Sequence, residues 1–566
     1  MLFSVTFEDN LLKKVRIFVC FLFLIWGNTA FSQHFYLQLS SENTTEQKII
    51  DSLSYQKHHQ NPKSVTDEVS DFSDRIIKLG YLQSRISSHQ KINDTVFAFP
   101  IILGQKTDFV KISTSKALNL TEMNLVEADT IAVKFSEIES FMSSLMRKLE
   151  IEGYSMSKLN LENFSFENNI LKADLIEQIS SKRKLDDVVI MGYEKFPEGH
   201  RRQLKRMYKN RVFNQQTLSE LHQDVQRFAF VNQLKQPEIL FTRDSTRVFL
   251  YLEKSKASNF DGYVGFNTDE NDEVTFTGYL DLLLNNALNT GEQFKLYWKN
   301  DGNQQQTFSF SGELPYLFNT PFALRGNLTI FKQDSTFQNT KTGLDLGYYI
   351  RYNIRTYLGY SSENSNDIQS QNSATLTDFK SKFFTSAFEY FELNRGDFLF
   401  PEKRNFVLKG GMGNRQSSFG DAGQFFVHLN GFNNFYLNEK NIISFKFDGY
   451  YLDSDSYVIN ELYRFGGINS IRGFNENSLQ ASLFSGMMVE YRYVLAPSIY
   501  VHSLTDFGYF QDKATDTEQN LLGIGFGLGL FTNNGLFNLV YANGSTDNQQ
   551  IKLSNSIIHL SFRASF

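Results

Sequence analysis

Cysteine is almost absent from this chain: Cys20 is the only one in 566 residues. That excludes a disulfide framework and a cysteine metal site. Proline and tryptophan are scarce as well, at 8 and 2. Charge is sparse and nearly balanced, 21% of residues with a formal net charge of −6, so there is no basic bias toward nucleic acid. No nucleophile elbow, P-loop or dinucleotide fingerprint occurs, and the alternating Gly523, Gly525, Gly527 and Gly529 do not spell GxGxxG. The paired His58-His59 has no HExxH context and no third ligand, and the acidic turn 269–273 lacks the glycine and terminal glutamate of a calcium loop. No metal or other cofactor is therefore expected. What the chain has in excess is aromatic: 56 Phe and 27 Tyr at a mean hydropathy of −0.34. Such a mixture suits strands with lipid on one face and water on the other.

Lys13, Lys14 and Arg16 precede the apolar run 17–26, and the small residues Ala30 and Ser32 flank Phe31. This is the pattern of a signal peptide over 1–32, because a spanning helix needs ~20 apolar residues and this run has about half as many. The next stretch mixes helix and strand. Segments 66–79 and 135–149 place apolar residues at three and four spacing, and each runs into a Gly-Tyr pair, Gly80-Tyr81 and Gly153-Tyr154. Glycine just past a periodic helix is a C-cap, and strands 95–103 and 164–176 are expected to follow. A third unit opens with strand 187–191 and Gly192, then helices over 198–208 and 216–230 and strands over 237–242 and 246–253. Three β-α-α-β-β units follow, over 33–107, 108–182 and 183–257. The basic run 200–211 in the third reads as a solvated helix face that could meet lipid headgroups.

From residue 258 the period changes to two. In 521–530, Leu522, Ile524, Phe526, Leu528 and Leu530 point one way and the four glycines the other. The same alternation marks 274–284, 294–298, 308–314 and 443–451. About sixteen strands with no helix between them fit a closed antiparallel membrane barrel over 258–566 rather than a soluble sandwich. Closure is required, because an unpaired strand edge in hydrocarbon costs several kcal/mol per backbone group. Alternate connections are short, as at 352–353, 495–497 and 532–535, against longer polar ones at 361–377 and 511–519. In the last strand Ile558, Leu560, Phe562, Ala564 and Phe566 face lipid, and the chain stops on an aromatic residue. That ending resembles the signal by which bacterial barrels are handed to their assembly machine.

The outer connection 454–481, preceded by eleven strands, contains Ile471-Arg472-Gly473-Phe474. With it the sequence resembles the BamA/TamA-like outer-membrane assembly and two-partner secretion superfamily, whose sixth outer loop carries a (V/I)RGF motif and folds back into the lumen. Glu490 stands where that family has an acidic residue on strand twelve, and Asp506-Phe507-Gly508 resembles its strand-thirteen signature. Glu313-Leu-Pro315-Tyr316 and Phe260-Asp-Gly262 resemble positions near its barrel start. The three N-terminal units then correspond to POTRA domains, although the third has Phe230-Val231 where the others have Gly-Tyr. The resemblance implies a non-enzymatic outer-membrane protein with POTRA units in the periplasm, working on unfolded or secreted client polypeptides, in contact with outer-membrane lipid and with accessory lipoproteins. An arginine inside a lumen must be paired, so Arg472 is expected on Asp506 with Glu490 nearby, Gly473 giving close backbone approach and Phe474 packing on the wall.

Overall fold

A computed structural model describes residues 34–566 apart from 89, 127, 168–169, 269–273, 301–304, 370–374, 396, 534 and 553–555. The expected signal peptide and the acidic turn 269–273 lie outside the described residues. The chain divides into two compact units, Met1–Lys182 and Arg183–Phe566.

The first unit holds two modules. In one, helices Thr44–Ser52 and Pro62–Lys78 are N-capped by Asn43 and Asn61, whose side chains accept from the Thr45 and Ser64 amides. They bury Ile50, Val65, Phe72 and Ile76 on Leu37, Leu39, Phe99 and Ile101 of the sheet. The Gly-Tyr pairs act as caps that also feed the core. Gly80 at φ 103° and Gly153 at φ 95° end their helices, and the Tyr81 and Tyr154 amides reach back to the carbonyls of Ile76 and Leu149 while both rings pack on their module's core. Each module, including the third at the start of the second unit, pairs its first strand parallel with its last: Phe35–Ser40 with Val96–Ile102, Phe109–Ser113 with Ile170–Gln178, and Asp187–Met191 with Thr246–Lys254. Gly192, at φ 87°, turns the chain beside the Leu252 carbonyl.

Three expectations need correction here. The stretch 164–176 is parts of two antiparallel strands, Lys158–Glu167 and Ile170–Gln178, because alternation continues through both with neither glycine nor proline to mark the turn. The helix expected over 216–230 is Gln215–Gln226, and Val231–Gln233 is already strand. The first two modules also insert a strand between their helices, His58–His59 and Thr130–Lys134.

The remainder is a closed antiparallel barrel. Its strands are β1 (Asn259–Thr268), β2 (Val274–Asn285), β3 (Gln293–Asn300), β4 (Gln305–Leu314), β5 (Phe322–Gln333), β6 (Phe337–Arg351), β7 (Ile354–Asp367), β8 (Phe379–Leu393), β9 (Glu402–Ser417), β10 (Gly420–Tyr436), β11 (Asn441–Ser454), β12 (Leu483–Ala496), β13 (Ile499–Asp512), β14 (Thr517–Thr532), β15 (Gly535–Thr546) and β16 (Ile557–Ser565). Sixteen strands close the ring, and eleven precede the motif loop. Large apolar side chains point outward, with Phe384 76%, Leu358 69% and Ile558 68% exposed; only lipid can cover such a surface on a closed sheet. This is a membrane-spanning barrel of the outer-membrane type. Several strands outrun the expected length of about ten residues, so the outer connections shrink to 368–378 and 513–516.

Helix α1 (Glu198–Tyr208) of the third module packs on the barrel's near end. Its basic side chains keep to the solvated face, and the opposite face is buried. Helical spacing puts His200, Gln203, Leu204 and Tyr208 on one buried face, while Arg201 and Arg202 both pair with Glu198 at 3.0 Å and Lys205 pairs with Asp187 at 2.9 Å. His200 is enclosed by Phe228 and Phe230 of its own module and by Tyr316 and Tyr352 of the barrel turns, with ring centroids 4.6 to 5.6 Å away. A Cβ at Gly291 would fall 2.0 Å from the His200 ring, so that turn must be glycine. Asn286 donates to the Tyr193 hydroxyl at 2.8 Å, and Gln203 to the Asn319 carbonyl at 2.6 Å.

Burial, reinforced by nearby Arg355, pushes the His200 imidazole from its ordinary 6.5 down to about 3. The undocked form takes up a proton below about 6.5 while the docked form resists it, so docking stability is complete above that pH and declines toward about 3. Amide exchange over α1, corrected for intrinsic rates, should lose protection from pH 7 to pH 5 in the natural protein and stay flat in His200→Phe. Equal pH dependence in the two would remove His200 as its source.

Candidate functional site: the lumen loop

The connection from β11 to β12 turns back into the barrel. A 3-10 turn, Ile459–Glu461, leads into a short hairpin of Tyr463–Phe465 against Leu479–Ala481, with the motif at its tip. Phe465 stacks on Phe484 of β12 at 4.0 Å and Tyr463 on Tyr450 of β11 at 4.6 Å, seating the hairpin against the wall.

At the tip Arg472 is almost wholly buried and Asp506 of β13 completely so. The guanidinium grips this carboxylate with two bonds, Nε to Oδ2 at 2.8 Å and Nη2 to Oδ1 at 2.5 Å, and the Arg472 amide donates to Oδ2 at 2.9 Å. Its Nη1 pairs with Glu490 of β12, whose other oxygen accepts from Arg492 Nε at 2.7 Å. One backbone donor and three guanidinium donors thus converge on two carboxylates, the arrangement that lets a buried charge be held.

The residues around Arg472 explain why small side chains line the wall. Cβ atoms at Gly486 and Gly508 would stand 3.1 and 3.3 Å from Ile471 Cδ1, so both glycines make room for the buried Ile471. Gly473 has φ +89°, and a Cβ there would lie 2.3 Å from the Gly544 nitrogen of β15. A Cβ at Gly523 of β14 would meet the Arg472 carbonyl at 2.3 Å. Phe474 packs over Gly544 and joins the apolar cluster of Phe465, Ile471 and Phe484.

The loop is tied to other strands by residues the sequence did not single out. Glu476 accepts from the Tyr297 hydroxyl of β3 at 2.7 Å and pairs with Lys299. Buried Arg415 of β9 pairs with Glu461, and Asn460 donates to the Ser365 hydroxyl at 2.7 Å and the Thr377 carbonyl at 2.8 Å. Polar loop residues opposite a lumen of alternating small and charged side chains were the available signal. Near the mouth beside the third module, Glu313 of β4 gathers Arg325 at 2.8 Å, Tyr357 at 2.8 Å and Tyr349, and Arg325 continues to Glu389 at 2.6 Å.

Ile471, Arg472, Gly473, Phe474, Glu490, Asp506 and Gly508 are therefore brought together. Ile558, Leu560, Phe562 and Phe566 lie elsewhere, exposed along the last strand and its end. Gly80, Tyr81, Gly153, Tyr154 and Gly192 serve the soluble modules. Among the described residues no group of His, Cys, Asp and Glu could hold a metal ion.

No family model and no curated protein matches the chain. Among solved structures it is similar to CdiB from Escherichia coli, with a TM-score of 0.51 at 12% identity over 89% of this chain and 98% of that one. The chain shares the fold of that protein. Also similar are CdiB from Acinetobacter baumannii (14% identity, 89% of this chain and 97% of that one, TM-score 0.49) and BamA from Haemophilus ducreyi lacking POTRA domains 1-3 (16%, 80% and 98%, 0.47).

Removing Arg472 leaves the Asp506 carboxylate buried without its counterion, a loss of about 3–5 kcal/mol. Arg472→Ala should lower the heat-modification midpoint of the detergent-folded barrel, and Asp506→Asn in the same chain should recover part of the loss. A double variant as unstable as the sum of the two single variants would show that the pair does not act as a unit.

Proposed function

We propose that the protein is an outer-membrane assembly or translocation factor: its POTRA-like units, over 33–107, 108–182 and 183–257, capture client polypeptides, and the barrel inserts or exports them. The observation that carries this reading is the Ile471–Phe474 loop held in the lumen by Arg472 on Asp506 and Glu490, in a barrel preceded by sheet-bearing modules. Two further features support it. Lys158–Glu167 is the outer strand of its sheet, with Phe164 and Phe166 exposed, and an extended client can add there through backbone hydrogen bonds that make no demand on its sequence. Among the described residues the barrel closes between β1 and β16 through 259–261 against 563–565, with the Ser258 and Phe566 backbones exchanging bonds, whereas β9 and β10 pair along 404–417. A seam that short is where a client hairpin could enter. The chain carries no nucleotide motif, so the driving free energy is that of the client folding in the bilayer.

Quantitative proteomics of outer membranes after depletion, with natural or Arg472→Ala rescue, tests this. Broad loss of barrel proteins that only the natural chain restores is the expected result. Loss of one surface protein would instead identify a dedicated two-partner exporter, and an unchanged profile would discard both in favour of a passive pore.

A further inference from the structure

The connection between β8 and β9, over 394–401, does something a surface loop does not ordinarily do: it buries apolar side chains. Asp397 accepts from the Leu399 and Phe400 amides at 3.0 and 2.9 Å, folding the chain so that Leu399 and Phe400 turn inward and both become buried. They pack with Ile442 of β11, Val494 of β12, Tyr500 of β13, Phe531 of β14 and Leu536 of β15. Two side chains from one turn therefore reach five strand ends at the mouth beside the third module.

Each side of this turn meets something already described. On one side is Arg395, whose guanidinium donates to three backbone carbonyls of the third module: Gln226 at 2.6 Å, Phe228 and Val231. These carbonyls lie at and just past the end of helix α2 (Gln215–Gln226), where the helix dipole is negative. Arg395 has no carboxylate partner among the described residues, so the module's backbone is its counter-group. On the other side is Phe400, whose ring stacks edgewise on Tyr500 at 4.7 Å and lies 4.7 Å from the Arg492 guanidinium. Arg492 in turn bonds Glu490, the carboxylate that Arg472 shares.

We propose that this turn is a periplasmic plug that positions the lumen lock. With the third module seated on Arg395, Leu399 and Phe400 lie across the mouth, and Phe400 holds Arg492 against Glu490. When the module lifts from Arg395, the plug withdraws and Arg492 loses the ring that fixes it, so opening of the mouth and loosening of Arg472 occur together. Arg395, Phe400 and Arg492 are positioning residues in this scheme, and the two-state element is the turn.

The test uses purified full-length protein with no client, so its outcome is independent of the proposed cargo. Planar-bilayer conductance is recorded together with the mobility of a spin label at Asn469→Cys, an exposed position of the loop tip. Arg395→Ala and Phe400→Ala should each raise open probability about fivefold or more, the effect of losing about 1 kcal/mol, and should each mobilise the label. Leu437→Ala, which removes an exposed side chain from the neighbouring turn between β10 and β11, should change neither. Arg395→Lys keeps the charge but puts its donors on one nitrogen, which cannot span the three carbonyls that Nε, Nη1 and Nη2 reach, so it should raise both readouts above the natural protein and serves as the test where Arg395→Ala does not fold. If Arg395 variants match the natural protein in both readouts, or if Leu437→Ala gives the same response, the plug does not transmit the seating of the module.

Discussion

The motif loop inside the barrel is arranged around a guanidinium taken out of water. A charge in that position is tolerable only if its bonds are met by fixed acceptors, and Arg472 meets them with Asp506 and Glu490 on adjacent strands. Carboxylates on β12 and β13 are rigid because the wall is a continuous hydrogen-bonded sheet, so the loop inherits the wall's geometry. The bidentate fork also fixes orientation as well as position, which a lysine at the same place could not do. Once Arg472 is set, Ile471 and Phe474 have only one side of the lumen on which to pack.

That constraint accounts for a pattern that otherwise looks like simple alternation. Gly486, Gly508, Gly523 and Gly544 lie on four successive strands and together form a lane on which loop backbone and Ile471 can rest. On β14 the opposite face carries Ile524, Phe526, Leu528 and Leu530 toward lipid. One strand therefore satisfies two solvents: bulky side chains where hydrocarbon must be met, and hydrogen atoms where another chain segment must approach.

The barrel was legible in the sequence because a period of two is unambiguous when one face meets lipid and the other a lumen, and its strands could be counted to the motif loop. The partners of Arg472 were legible by chemistry and position once a resemblance placed them on neighbouring strands. His200 was not, because helix α1 alternates cations with residues that can be buried, and its ring is enclosed by Tyr316 and Tyr352 from barrel turns distant in sequence. Arg395 left no signal at all: its partners are main-chain carbonyls, which any sequence supplies. Strands Lys158–Glu167 and Ile170–Gln178 merged in the reading because only Asn168-Asn169 separates them, without the glycine or proline that marks a break most strongly.

Two of the loop's attachments differ in strength, and the difference has a direction. Arg472 and Gly473 hold it to β12, β13 and β15, while Glu476 holds it to Tyr297 and Lys299 on β3. Between β15 and β3 lies the short β1–β16 seam, so the loop bridges that seam from inside the lumen. Separating β1 from β16 has to break one attachment or the other. The Lys299–Glu476 pair is partly open to water, and such pairs contribute about 1 kcal/mol or less. The Arg472–Asp506 pair is buried, and breaking it would strand a charge at a cost of several kcal/mol. The β3 attachment therefore yields first, and the loop stays with the C-terminal strands, keeping β12 to β15 as a rigid wall while β1 to β3 move.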